Sequence, residues 1–229
     1  MINRLLFLTA LTAFSIGSAA ASIPLVVNQT YNSGSGGGAG SGDPYFNLYS
    51  YDPTPTLTVP VVASPIPDAW YQPQNNNSIA QWISPTEDQT YPAPPVEGDP
   101  AGTYDYNAVL ATDFLVPTEV TFTGSFAADN DVTLNIDGTT VTSIGAPAYG
   151  SLTSFTFSLT VFAGERFTPI DFVVNNLDDT GGTVNPTGLL VSNLRASTSQ
   201  TPEPSTWLLV FASLGSLLMV KRVRRAVAL

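Results

Sequence analysis

The sequence predicts an all-β protein built as an antiparallel β-sandwich. Apolar and polar residues alternate with a period of two along several stretches after residue 101, and turn signals separate those stretches. Outside the two termini, no stretch holds a helical apolar period for three turns. At 229 residues and 43% apolar content, the chain is long enough for one such domain plus appendages.

The first appendage is residues 1–21. Arg4 precedes an apolar run from Leu5 to Ile16, and the segment closes on Gly17-Ser18-Ala19-Ala20-Ala21. That order reads as a secretory signal peptide with an A-x-A-type site at Ala19 and Ala21 for signal peptidase. A run of about a dozen apolar residues is too short to span a bilayer.

Residues 22–100 form a Gly/Ser- and Pro-rich irregular segment. Positions 33–42 are nearly all Gly and Ser, and prolines are dense from 44 to 100. Short apolar pieces interrupt it at Tyr45-Phe46, at 57–62, at Trp70-Tyr71 and at Trp82-Ile83. A disordered linker would not carry two Trp and several Tyr, so these pieces are expected to pack, as short strands, on the domain that follows.

Residues 101–197 are the predicted sandwich core. Val120, Phe122, Gly124 and Phe126 alternate with Thr121, Thr123 and Ser125, and Val132, Leu134 and Ile136 alternate with Thr133 and Asn135. Asp137-Gly138 is the signature of a two-residue type I′ hairpin turn. Further strands are expected through Phe155, Phe157, Leu159 and Val161, through Ile170, Phe172 and Val174, and through Leu190, Ser192 and Leu194.

Residues 198–229 end the chain. Pro202-Glu203-Pro204 precedes sixteen uncharged residues, 205–220, and then Lys221-Arg222-Val223-Arg224-Arg225. As a helix, 205–220 is about 24 Å long against a hydrocarbon thickness of about 30 Å. It just spans if Trp207 sits at one interface and the basic tail, 221–225, at the other. The positive-inside rule then holds Lys221, Arg222, Arg224 and Arg225 in the cytoplasm and places the sandwich outside. This tripeptide, single transmembrane helix and basic cluster together resemble the PEP-CTERM sorting signal of Gram-negative bacteria. The resemblance implies recognition by an exosortase, cleavage at or near Pro202, Glu203 and Pro204, and passage from the inner membrane to the cell surface or extracellular matrix. The chain departs from the usual pattern by four further residues, Ala226-Val227-Ala228-Leu229.

Charge narrows the function. The sequence holds 18 carboxylates, 7 basic residues, no His and no Cys. Between residues 22 and 200 only Arg166 and Arg195 are basic, while every carboxylate except Glu203 lies there. No basic patch is available for nucleic acid. Ser-His-Asp and Cys-His nucleophilic sites and Cys/His zinc sites lack their residue types. The surviving enzyme chemistry is a carboxylate pair of the glycoside-hydrolase kind, for which Asp113, Glu119, Asp129 and Asp171 are available. No catalytic constellation stands out among them, and a non-enzyme is expected.

A second resemblance runs through the ectodomain. Trp70, Gln81-Trp82-Ile83-Ser84-Pro85, Gly102-Thr103-Tyr104, Gly124 with Asp129-Asn130, the 134–138 turn, Phe162-Ala163-Gly164, the 170–176 strand and Asn185-Pro186-Thr187-Gly188-Leu189 occur in one order. This order resembles a module common among PEP-CTERM proteins, similar to galactose-binding-like jelly rolls. It implies a jelly-roll-like sandwich and an exported protein with a structural or adhesive role in exopolysaccharide or biofilm. The alternative is a carbohydrate-binding module that recognises a surface polysaccharide.

Trp70, Trp82 and Tyr104, with Tyr71 and Tyr91, are the candidates for sugar contact, because aromatic faces stack on the apolar faces of sugars. The other role open to the two Trp is to pin the Pro-rich segment onto the sandwich. Asp129, Asn130 and Asp131, and separately Asp178-Asp179, are clusters of the oxygen ligands that Ca²⁺ takes. The same residue types also make loop turns through side-chain to backbone bonds. Asn175, Asn176, Asn185 and Thr187 lie around one loop, where turn chemistry is the preferred reading.

Overall fold

The computed structural model describes residues 22–35, 37–50, 56–72, 80–90, 98–177 and 184–199. The signal-peptide positions Ala19 and Ala21, the sorting residues Pro202, Glu203 and Pro204, the 205–220 helix and the cluster of Lys221, Arg222, Arg224 and Arg225 lie outside the described residues, as do Tyr91 and Asp178-Asp179.

Among the described residues every regular element is a strand. In chain order these are β1 (Thr30–Tyr31), β2 (Asn47–Ser50), β3 (Thr56–Thr58), β4 (Val61–Val62), β5 (Ile83–Ser84), β6 (Asp99–Pro100) and β7 (Gly102–Phe114). There follow β8 (Thr118–Asp129), β9 (Asp131–Ile136), β10 (Thr139–Ile144), β11 (Thr153–Val161), β12 (Gly164–Asn176), β13 (Val184–Asn185) and β14 (Gly188–Thr198). One sheet runs β11-β8-β14-β5-β4 with β1 also on β14, and the other runs β10-β9-β12-β7-β2-β3. A small third pairing joins β13 to β6.

The period-two pattern builds the core. On β7, Tyr104, Tyr106, Ala108 and Leu110 point inward, and on β12 Ile170, Phe172 and Val174 lie in register with Ala108, Tyr106 and Tyr104. Phe122 and Phe126 enter from the opposite sheet, with Phe126 meeting Phe172 edge to face at 5.4 Å. Val132, Leu134 and Ile136 of β9 complete the same buried cluster.

Alternation fails where a second cluster covers the outer face. At the end of β8, Ala127 and Ala128 are both buried, and Leu189, Leu190 and Val191 of β14 are buried in succession. Ala127 and Leu190 belong to a separate cluster with Ala63, Trp70, Ala80 and Trp82. The Pro-rich segment therefore supplies a layer over this sheet as well as strands at its edge, through Ile83 opposite Leu189 and Val62 opposite Ile83. In the other sheet it contributes β2, whose Leu48 pairs with Tyr106 of β7.

The turn signal at Asp137-Gly138 takes the form expected of it. Both residues have positive φ, 51° and 73°, as a type I′ turn requires. A Cβ added at Gly138 meets nothing within 4 Å, so any cost of a side chain there comes from the backbone alone. Gly138→Ala is expected to destabilise the domain by about 1 kcal/mol, read as a lowered urea midpoint at unchanged slope, while Asp137→Asn leaves the midpoint unchanged or raised.

Candidate functional site

One end of the sandwich is closed by a knot of buried amides. The chain crosses from one sheet to the other at Asn130, between the end of β8 and the start of β9. The register brings Asn176, opposite Gly102, and Asn185, opposite Asp99, to the same end. The Asn130 Oδ1 accepts from the Leu177 backbone N–H at 2.7 Å and from Asn185 Nδ2 at 3.2 Å. Asn185 Nδ2 also donates to Asn176 Oδ1 and to the Leu177 carbonyl, and Asn176 Nδ2 donates to the carbonyls of Asp99, Pro100 and Asn185. These amides satisfy backbone groups that the ends of the ladders would otherwise leave buried and unpaired.

Asp129 couples this knot to the Trp layer. Its Oδ2 accepts from Trp70 Nε1 at 2.9 Å, its Oδ1 from Asn130 Nδ2 at 2.5 Å, and its carbonyl from Thr187 Oγ1 at 2.8 Å. Trp70 in turn lies against Trp82, with ring centroids 4.2 Å apart. Behind Thr187, its backbone N–H donates to Gln89 Oε1, and Gln89 Nε2 donates to Asp99 Oδ2. Burial pushes the Asp99 carboxyl above its usual range, against the bonds from Gln89 and Thr86 that favour the charged form. A Cβ at Gly188 would meet the Trp70 ring at 3.0 Å and the Ile83 carbonyl at 3.1 Å, so a side chain there would push the ring or the neighbouring strand aside by a few tenths of an ångström.

Between the knot and the turn before β11 lies a cavity of about 360 Å³. Pro67, Trp70, Pro147, Tyr149 and Leu177 give it apolar walls, and Asp129, Asn130 and Asn185 give it a polar side. Tyr149 is half-buried, its carbonyl holds the Tyr71 N–H at 2.7 Å, and its hydroxyl has no hydrogen-bond partner among the described residues. Volume and lining are those of a small-molecule cleft, for which about 300–1,000 Å³ is usual.

The aromatic candidates separate. Trp70 lines the cavity. Trp82 is buried, donates from Nε1 to the Tyr71 carbonyl at 2.9 Å, and stands behind Trp70 rather than on the cavity. Tyr104 is buried in the main core with its hydroxyl on the Pro100 carbonyl. Tyr149, which sequence alone did not single out, lines the cavity instead.

The Asp129, Asn130 and Asp131 side chains diverge. Asp129 turns to Trp70, and Asn130 to Leu177 and Asn185. Asp131 sits on the outer face of the second sheet and accepts from Asn175 Nδ2 at 2.6 Å. Among the described residues, no group of three or more Asp, Glu, His or Cys is placed to hold a metal ion.

The four carboxylates open to acid–base chemistry are also spread out. Asp113 and Glu119 lie at the end of the sandwich remote from Asp129, and Asp171 lies midway along β12 on its outer face, accepting from Asn107 Nδ2 at 2.5 Å. The electrostatic partner of Asp171 is Asp105 of β7, one strand over. Burial, with the Asp171 charge second, pushes the Asp105 carboxyl up to about 6, and its Oδ1 is buried with no hydrogen-bond partner among the described residues. No motif marks Asp105 in the sequence, because its environment is made by strands distant in the chain.

No family model matches the sequence, and no curated protein sequence matches it. Solved structures do. The CBM35 module from Paenibacillus barcinonensis matches at 14% identity and a TM-score of 0.31, over 75% of this chain and 100% of that one. The CBM35 of Cellvibrio japonicus Abf62 matches at 14% identity and a TM-score of 0.29, over 74% and 98%. A CBM36 carbohydrate-binding module solved in complex with calcium and xylotriose matches at 20% identity and a TM-score of 0.26, over 47% and 89%.

Asp105 sets a direction of pH dependence. The folded state holds its proton up to about 6, whereas a free aspartate side chain loses it near 3.8. Between those values the folded state binds more protons than the unfolded one, so its contribution to stability falls as pH rises. Asp43 and Asp99, raised by burial, act in the same direction. The urea midpoint is expected to be higher at pH 4.5 than at pH 7, and Asp105→Asn to narrow that difference.

Proposed function

We propose that the domain is a polysaccharide-binding module of an exported protein and that it seats a sugar unit in the cavity beside Asn130. The observation that carries this reading is the cavity itself, with apolar walls facing a row of amide and carboxylate groups. A pyranose ring has the complementary division, C–H bonds on one face and hydroxyls at its rim. Tyr149 and the exposed edge of Leu177 take the apolar face, and Asp129, Asn130 and Asn185 take hydroxyls. The amide knot holds these groups before ligand arrives, which lowers the ordering cost of binding.

Delivery follows from the termini. The signal peptide and the PEP-CTERM-like tail support export across the inner membrane of a Gram-negative bacterium, processing by an exosortase, and retention at the cell surface or in the extracellular matrix. Binding to exopolysaccharide there gives the protein an adhesive role without a catalytic step.

Two experiments test the two parts. In native affinity gels containing xylan, galactomannan or alginate, the protein is expected to be retarded by at least one polysaccharide, and Tyr149→Ala, in protein verified to be folded, to weaken that retardation tenfold or more. Trp82→Ala is the packing control and loses stability instead. Retardation by none of these polymers would leave a purely structural role, and loss of retardation on chelation would restore a Ca²⁺ site at Asp129, Asn130 and Asp131. For delivery, intact-mass spectrometry of the extracellular form is expected to find a chain ending near residue 204. Recovery of residues 221–229 in that form would overturn the sorting assignment.

A further inference from the structure

The end of the sandwich opposite the cavity carries an exposed apolar cluster among charged residues. Leu115 and Val116, in the turn between β7 and β8, are 95% and 52% exposed; Phe162, in the turn between β11 and β12, and Phe167, the fourth residue of β12, are 65% and 61% exposed. The two turns are neighbours, since the ladders that lead into them end at Phe114 opposite Gly164 and at Thr118 opposite Val161. Four large apolar side chains at one tip exceed the scattered exposure that a soluble surface needs no partner to explain. Beside Phe162 and Phe167 a cleft of about 200 Å³, lined also by Asp137, holds Arg166, whose guanidinium has no ion pair or hydrogen bond among the described residues.

The chain leaves the sandwich at this same end. β14 begins beside Asp129, where Thr187 bonds, and finishes beside Thr121, whose carbonyl accepts from Ser197 Oγ at 3.3 Å. From Ser199 to Pro204 is a link of six residues, which extended reaches at most about 21 Å before the apolar segment 205–220 begins.

We propose that this tip, formed by Leu115, Val116, Phe162 and Phe167, seats on a zwitterionic phospholipid bilayer before the tail is cleaved. The proposal rests on the reading of 205–220 as membrane-embedded. The short link keeps the exit end of the sandwich close to the bilayer surface, where the four apolar side chains enter the interfacial region and Arg166 meets a lipid phosphate. Asp113, Glu119 and Glu165 lie at the same end, Asp113 opposite Glu165, so an anionic bilayer is repelled and a zwitterionic one selected. The cavity at the other end then faces away from the membrane.

The absence of cysteine makes the test clean. Full-length chains carrying Leu115→Cys, Phe162→Cys, Ala146→Cys or Leu214→Cys, each labelled with an environment-sensitive fluorophore, are reconstituted in phosphatidylcholine–phosphatidylethanolamine vesicles containing nitroxide-labelled lipid. Labels at 115 and 162 are expected to be quenched by half or more and shifted to the blue, the label at 146 to behave as in water, and the label at 214 to be quenched by nitroxides deep in the acyl region. Quenching at 214 with 115 and 162 indistinguishable from 146 overturns the proposal while leaving the anchored tail intact. An unquenched label at 214 overturns the anchored tail and the proposal with it. Blue-shifted labels at 115 and 162 that lipid nitroxides do not quench would show a protein partner or a second copy on the tip, which also overturns it.

Discussion

The bonds that Asn130 makes at the crossover between the two sheets constrain everything around them. A β-sandwich end exposes carbonyls and N–H groups where its ladders stop, and here the Asn130, Asn176 and Asn185 side chains satisfy them from within. An amide is suited to this task because it donates and accepts together, and it does so without the desolvation cost of a charge. With those three groups in place, the backbone at Leu177 and the turn at Pro186 are fixed, and so is one side of the cavity.

Asp129 extends that constraint into the outer layer. A buried carboxylate needs donors, and Trp70 Nε1 is one of them. The Trp70 ring is therefore held at the end of β8 beside Ala127, with Trp82 against it and the Pro-rich segment drawn over the sheet. Cavity wall and outer core are thus one packing unit, so mutations in the Pro-rich segment will reach the cavity through Trp70.

The sandwich was legible wherever one face of a strand is wet and the other dry. Val120 to Phe126 and Val132 to Ile136 show that alternation plainly, and both are strands with their apolar residues inward. Legibility failed at Ala127 and Leu190, where both faces are covered and the period disappears. In residues 22–100 the apolar pieces announced short packed strands but not their partners, because strands of two to four residues are too short to carry a period and owe their existence to long neighbours such as β7 and β14. The cavity was half visible. Trp70, Asp129, Asn130 and Asn185 stood out by residue type, while Tyr149 did not, and away from the cavity neither did Asp105, since only the fold gives these two their surroundings. The amide cluster read as turn chemistry because sequence places Asn176 and Asn185 near each other and says nothing of Asn130, which is 46 positions away from Asn176.

The course of β14 has a mechanical consequence. The strand starts at the cavity end and finishes where the chain leaves the domain, and it lies inside its sheet, flanked by β8 and β5. In the proposed role, tension between a polymer bound at the cavity end and a tethered C-terminus is applied along the strand axis. Inter-strand hydrogen bonds run across that axis, so the load falls on the whole row in shear rather than peeling them one at a time. Resistance to such a load depends on the number of bonds that must break at once, and not on the strength of any one of them.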